Sequence, residues 1–249
     1  MAGIVFLRAV ATQSAWRERS GLSESGANRT VPTLNKEFYD WFGKSRAINR
    51  DGTPAVVYRG EHGSLPNDMQ FHSRLNSLSF CGDPTSASTY AMHPNVYKDV
   101  AQAPRVSPAY LKIDKPIIHN IADPFIDLAH IEKELGLAEA MRIAEKFSSD
   151  IEYTGNWDEN YAGTYASVDD LLKRCPQELK NLYFDTFRYL DDPEEVALLR
   201  KKGYDGAIYV GNGETLATTE YRVFDTSQVR SAIDWRKGAQ SAARLDEKA

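Results

Sequence analysis

The sequence predicts an α+β fold, with strands towards both ends and helices between them. Runs rich in β-branched and aromatic residues fall at 55–58, 78–81 and 109–118, and again at 207–210 and 218–224. The intervening stretch 125–199 is dominated by helical spacing. Strands grouped on either side of a helical block, rather than alternating with helices, mark α+β rather than α/β.

Residues 12–30 are small and polar and read as part of an N-terminal arm, 1–32. A folded domain is expected over 33–235, with a helical insertion at about 121–200 and a polar tail at 236–249. Thr33 is placed to cap a helix whose apolar positions, Leu34, Phe38, Trp41 and Phe42, follow one stripe and end at Gly43. Asp51-Gly52-Thr53-Pro54 is a turn into strand 55–58, which ends at Arg59-Gly60. Residues 78–81 form a second strand, and Asp83-Pro84 opens a helix that reaches 91. Residues 109–113 and 116–118 read as one strand with a kink.

In the helical middle, Leu179, Leu182, Tyr183 and Phe187 are expected to share one helix face. Asp192-Pro193-Glu194-Glu195 is a helix start, with Asp192 as cap and Glu195 in capping-box register; that helix stops at Gly203. Tyr204-Asp205-Gly206 then turns into strand 207–210. Gly211-Asn212-Gly213 is a loop, 218–224 a strand, and 229–233 a last short one.

The 249 residues are 42% hydrophobic and 26% charged, sufficient for one domain with a substantial core. A formal net charge of −5 gives no nucleic-acid signature. Cys81 and Cys175 form no CxxC pair and the five histidines show no ligand spacing, so no metal and two free thiols are expected. No secretory signal or membrane span is read, which predicts a soluble protein that stays in the cytoplasm and has no membrane partner. Neither GxGxxG nor GxxxxGK[ST] occurs, so no Rossmann or P-loop nucleotide site is expected.

Arg59 offers a fork of donors to a phosphate or ribose, and Gly60 lets a ligand approach the backbone. Taken alone, a surface arginine at a strand end is the simpler reading. Glu220 shares a strand face with Thr218 and Arg222, leaving Tyr221 and Val223 on the other. A carboxylate there suits a bond to a sugar hydroxyl and stabilisation of an oxocarbenium-like transition state; locally, a salt bridge with an arginine is simpler. Tyr90, near the end of its helix, offers a flat stacking surface. Ser77, Ser79 and Cys81 alternate along one side of a strand, and Cys81 lacks the histidine partner a nucleophile needs.

These residues recur in a recognisable order. Segment 51–60, DGTPAVVYRG, resembles the first core strand of ADP-ribosyltransferase-like domains, closest to those in large polyvalent phage and mobile-element proteins. Segment 80–91, FCGDPTSASTYA, resembles the second motif of that family, and 203–210, GYDGAIYV, a recurrent Gly-Tyr-Asp-Gly strand. Segment 220–232, EYRVFDTSQVRSA, resembles the terminal strand and tail that carry the glutamate. The ordered match spans about residues 34–233.

The resemblance implies a split, mixed or antiparallel β-sheet core that clasps NAD as substrate, with the helical middle covering the cleft or choosing the target. Arg59 would contact the ribose or phosphates, the Gly60 backbone the nicotinamide amide, and Tyr90 would stack. Glu220 would be the catalytic glutamate, and Ser79, Phe80 and Cys81 would line the cofactor side of their strand. Cys81 stands where the family commonly has serine. Thr218 stands where arginine-modifying members carry Glu or Gln, which points away from arginine as acceptor. The implied activity is mono-ADP-ribosyl transfer: cleavage of the nicotinamide–ribose bond and transfer to a macromolecule, expected to be a host protein in an infected bacterium. Water as acceptor gives an NAD glycohydrolase. Members with Arg in the first motif usually carry a Ser-Thr-Ser strand where this chain reads Ser77-Leu78-Ser79-Phe80-Cys81, which leaves a third expectation, a non-catalytic, virion-associated binding module that keeps the fold.

Overall fold

The computed structural model describes residues 34–61, 70–71, 76–92, 104–211, 218–235 and 240–241. The expected N-terminal arm, the Thr33 cap, Asn212-Gly213 and most of the polar tail lie outside the described residues. The fold is α+β: a mixed seven-stranded sheet with helices packed on it.

The first helix, α1 (Lys36–Phe42), is capped by Asn35, whose side chain accepts from the Phe38 N–H at 3.1 Å; it ends where Gly43 takes φ 62°. Phe38 and Phe42 pack on Tyr110 and Trp235. Strand β1 (Val57–Glu61) starts later than expected and holds Arg59 and Gly60 within it, while β2 (Gln70–Phe71) is a short segment before β3 (Leu78–Cys81). Helix α2 (Pro84–Met92) is opened by Asp83, whose carboxylate accepts from the Thr85 and Ser86 N–H groups and the Ser86 hydroxyl.

The expected kinked strand at 109–118 is two separate strands, β4 (Arg105–Leu111) and β5 (Pro116–Asn120), lying at opposite sides of the sheet. The break has a polar cause. Asp205 accepts from the Asp114 and Lys115 N–H groups at 2.7 and 2.8 Å, so these two amides bond outside a ladder.

The helical segment comprises β6 (Phe125–Asp127), α3 (Leu128–Leu135), α4 (Leu137–Lys146), α5 (Ser148–Glu152), α6 (Gly155–Asn160) and α7 (Val168–Arg174). It continues through a 3₁₀ turn, Pro176–Asn181, then β7 (Tyr183–Asp185), α8 (Thr186–Leu190) and α9 (Pro193–Lys201). The expected single face is therefore divided, with Leu179 in the 3₁₀ turn, Leu182 just beyond it, Tyr183 in β7 and Phe187 in α8. β7 pairs with β6, and the Leu128 N–H donates to the Leu182 carbonyl at 2.9 Å, so tertiary pairing overrides helical spacing. The chain ends in β8 (Gly206–Val210), β9 (Thr219–Val223), β10 (Val229–Ser231) and β11 (Gln240–Ser241), the last paired with β2.

The strand order is β10-β4-β1-β3-β9-β8-β5, antiparallel throughout except for the parallel β8–β5 edge. β1 meets β4 over five residue pairs, but meets β3 at one, Tyr58–Cys81. The sheet thus consists of two half-sheets joined at a single pair.

Register assigns the faces. Tyr58, Cys81, Glu220 and Tyr209 stand opposite one another across four strands and point the same way. α1 covers this face near β4 and α2 covers it at β1. The helical segment covers it at β8 and β5, burying Ile117, Ala207 and Tyr209 with Ile131, Ile143 and Leu199. The other face buries Val57, Leu78, Phe80, Leu111, Tyr221 and Val223.

Glu195 locks the helical segment internally. Asp192 caps α9 as expected, accepting from the Glu194 and Glu195 N–H groups at 2.9 and 3.1 Å. Glu195 does not complete a capping box. Its carboxylate, 1% exposed, takes two bonds from Arg142 at 2.8 and 2.6 Å and one from Lys146 at 2.9 Å, because burial demands cationic donors. Burial pushes the Glu195 carboxyl up, but the Arg142 and Lys146 bonds outweigh it and hold it below 4.5. A carboxyl lowered by folding stabilises above its unfolded pKa, and that contribution drains as pH falls through the lowered value. Glu195→Gln should cost roughly 2 kcal/mol at pH 7. In melts from pH 7 to 3 the gap to wild type should narrow at the acid end; a constant gap would refute the linkage.

Candidate functional site

The first site residue is set by strand period. Glu220 is the second residue of β9, its side chain on the face shared with Arg222, as the alternation predicts. It is only 7% exposed. A carboxylate so desolvated needs donors, and two tyrosine hydroxyls supply them. Tyr209 on the paired strand donates to Oε2 at 2.9 Å; Tyr90 on α2 donates to Oε1 at 3.4 Å, a looser contact. The simpler reading, an arginine salt bridge at Glu220, is not what forms: Arg222 pairs with Asp191 at 2.8 Å.

Two glycines make the room. A Cβ on Gly211 would lie 2.5 Å from the Glu220 carboxylate, so the carboxylate rests against bare backbone. A Cβ on Gly60 would lie 1.9 Å from the Ala87 carbonyl oxygen. Gly60 is thus required by the packing of α2 on β1, and this packing carries Tyr90 to Glu220.

Tyr90 is 45% exposed, with its hydroxyl turned inward and its pKa pushed up to about 12 by burial and by the Glu220 charge. Cys81 faces Glu220 across the β3–β9 ladder. Burial first, then the Glu220 and Asp83 charges, raise its thiol to about 12, so it stays protonated near neutral pH and is no nucleophile. Ser79 stands opposite Arg222 on the same face.

Arg59 and Phe80 are placed differently. Both side chains project from the opposite face, with the Arg59 guanidinium 6.0 Å from the Phe80 ring centre. Phe80 is sealed in the core at 1% exposure, which leaves only its main chain to meet a cofactor. Arg59 donates to Glu61 at 2.9 Å and to the Ser79 carbonyl at 3.0 Å. Beyond Tyr58–Cys81, where β1 and β3 part, this side-chain bond spans the gap. Arg105 also grips Glu61, at 2.8 Å, forming an Arg–Glu–Arg cluster on β1 and β4. Arg59 is therefore an internal brace rather than a surface charge, and the structure gives no direct contact between it and Glu220.

Glu220, Tyr90, Cys81 and Gly60 are thus brought to one face, where the two half-sheets part and α2 packs on β1. Tyr209, Arg222, Asp191 and Gly211 belong to the same cluster and carried no separate signal. Tyr209 sits in an apolar strand that reads as core, and Asp191 is overshadowed by the stronger cap Asp192. A hollow of about 370 Å³ between α4 and α7 shares no residue with this cluster, and its cations Arg142 and Lys173 are already ion-paired. Among the described residues no three metal-ligating side chains gather, and no helix is long and apolar enough to cross a membrane.

Gly211→Ala should leave the fold intact but push Glu220 off Tyr209, since the obstructing group is a side-chain end. A crystal structure of the variant showing the 2.9 Å bond unchanged would contradict this account.

Comparisons of the chain with protein-family models, with curated proteins and with solved structures gave no match.

Proposed function

We propose that this chain cleaves the nicotinamide–ribose bond of NAD and transfers ADP-ribose to a macromolecular acceptor, with Glu220 as the catalytic carboxylate on an ADP-ribosyltransferase type of split sheet. The observation that carries the reading is the seat of Glu220. It is a buried carboxylate with one oxygen fixed by Tyr209 and the other under a loose bond to half-exposed Tyr90. The single-pair junction between the half-sheets supports the same architecture.

In this reading a ribose hydroxyl displaces the loose Tyr90 contact and donates to Oε1. The Tyr90 ring, already at the rim, stacks on the nicotinamide. As the glycosidic C–N bond lengthens, its electron pair passes to the ring nitrogen, which leaves as neutral nicotinamide. Positive charge grows on the ribose, and the nearby carboxylate stabilises it most strongly because water is largely excluded there. The acceptor nucleophile then attacks the anomeric carbon and loses its proton. Arg59 contributes as the brace that holds β1 and β3 at fixed spacing, and Gly60 through its main chain beside α2.

The test is incubation with NAD and a host lysate, with nicotinamide measured by chromatography and adducts by mass spectrometry. Wild type should release nicotinamide and label an acceptor, and Glu220→Gln should lose release by about 10³-fold or more. Free ADP-ribose without adduct would assign hydrolysis instead. Full release by the variant would remove Glu220 from the chemistry. Neither release nor NAD binding by wild type would leave a non-catalytic binding module.

A further inference from the structure

The two tyrosines on Glu220 are not equivalent. Tyr90 is half-exposed and positioned to meet a ligand, whereas Tyr209 is wholly buried and out of reach of one. Tyr209 nevertheless makes the shorter bond, 2.9 Å against 3.4 Å. Arg222 stands diagonally across the β8–β9 ladder from Tyr209 on the same face, with its positive charge near the same hydroxyl. A carboxylate oxygen accepts, so the one phenolic proton of Tyr209 is committed to Oε2 of Glu220. The direction of that bond is thereby fixed, and Oε1 is left with the looser Tyr90 contact.

Arg222 is itself anchored from outside the sheet. Its Nη1 lies 2.8 Å from Oδ1 of Asp191 and 3.4 Å from the Ser77 hydroxyl. The Asp191 contact is a charge pair rather than an aligned hydrogen bond, and the Arg222 Nε has no hydrogen-bond partner. Asp191 occupies the joint between α8 and α9. That joint is tied to the start of β3, where Asn76 donates to the Pro193 carbonyl at 3.2 Å and Ser77 to the Leu190 carbonyl at 3.3 Å. A buried guanidinium left partly unsatisfied is expensive as filler, and its geometry suits a group held in place for another's sake.

We infer that Tyr209 is a positioning residue for Glu220, and that the Arg222–Asp191 pair anchors it to the α8–α9 joint, so the helical segment sets how the carboxylate faces the cleft. The inference rests on Glu220 being the catalytic carboxylate.

The test compares Tyr209→Phe, Asp191→Asn and the double variant for nicotinamide release at saturating and limiting NAD. Tyr209→Phe should lower kcat roughly 10- to 100-fold, the range of a lost bond to a charged group, and leave KM within about threefold. Asp191→Asn should produce a smaller fall, again in kcat alone. The double variant should match Tyr209→Phe within about twofold, because both changes act through one carboxylate. Wild-type kcat in either single variant, or two effects that multiply in the double, would overturn the inference. Should Tyr209→Phe fail to fold, the kcat-only signature at half-exposed Asp191 decides alone. Wild type that releases no nicotinamide would defeat the Glu220 reading itself, an outcome distinct from all of these.

Discussion

The architecture depends on three places where backbone meets its neighbour with no side chain between. At Gly60 the helix α2 lies directly on β1, and at Gly206 an added Cβ would come within 2.3 Å of the Arg222 carbonyl oxygen. At Gly211 the Glu220 carboxylate fills the space a side chain would take. Each contact brings a polar group to the centre: α2 brings Tyr90, the tight β8–β9 ladder brings Tyr209, and Gly211 lets the carboxylate settle between them. Interiors packed to crystal-like density cannot absorb an added methyl against backbone, as at Gly60 and Gly206, whereas at Gly211 the methyl would displace the carboxylate, so the glycines fix the spacing of the site rather than merely permit it.

Two buried acids organise two parts of the protein by the same rule. Glu195 is stabilised by cations, Arg142 and Lys146, and makes a rigid block of α4 and α9. Glu220 is stabilised by neutral hydroxyls, with the nearest cation, Arg222, engaged on Asp191. The difference bears on reactivity. A carboxylate bonded directly to two cations has little field left to offer an incoming positive charge, whereas one held by tyrosine hydroxyls has its orientation fixed with no cation bonded to it. The block that Glu195 secures also carries the α8–α9 joint and Asp191, so the structural acid indirectly supports the one at the candidate site.

What the sequence revealed follows the range of each signal. Local signals served well: Asp83 and Asp192 cap their helices, β3 falls where alternation places it, and period-2 geometry puts Glu220 and Arg222 on one face. Non-local pairing was hidden. Nothing near residue 114 announces that Asp205 will take two of its amides, so β4 and β5 read as one strand. The 179–187 stretch reads as one helix face because β6, which pulls part of it into a strand, lies more than fifty residues earlier. At the site, Tyr90 and Glu220 were legible as a recurring order of motifs. Tyr209 was not, because a wholly buried tyrosine in an apolar strand looks the same whether its hydroxyl has a task or not. Arg59 was legible as a charge, but its destination was set by the parting of β1 from β3.

That parting has a thermodynamic side. The Tyr58–Cys81 junction has the fewest ladder pairs in the seven-stranded sheet, so the half-sheets are held together there by the Arg59 bond and a shared apolar core rather than by a backbone ladder. A ligand that reaches from one half-sheet to the other supplies the rungs this ladder lacks. Occupancy and mechanical integrity then become one quantity: by mass action, each tenfold rise in free ligand above its dissociation constant adds about 1.4 kcal/mol to the cost of pulling the halves apart.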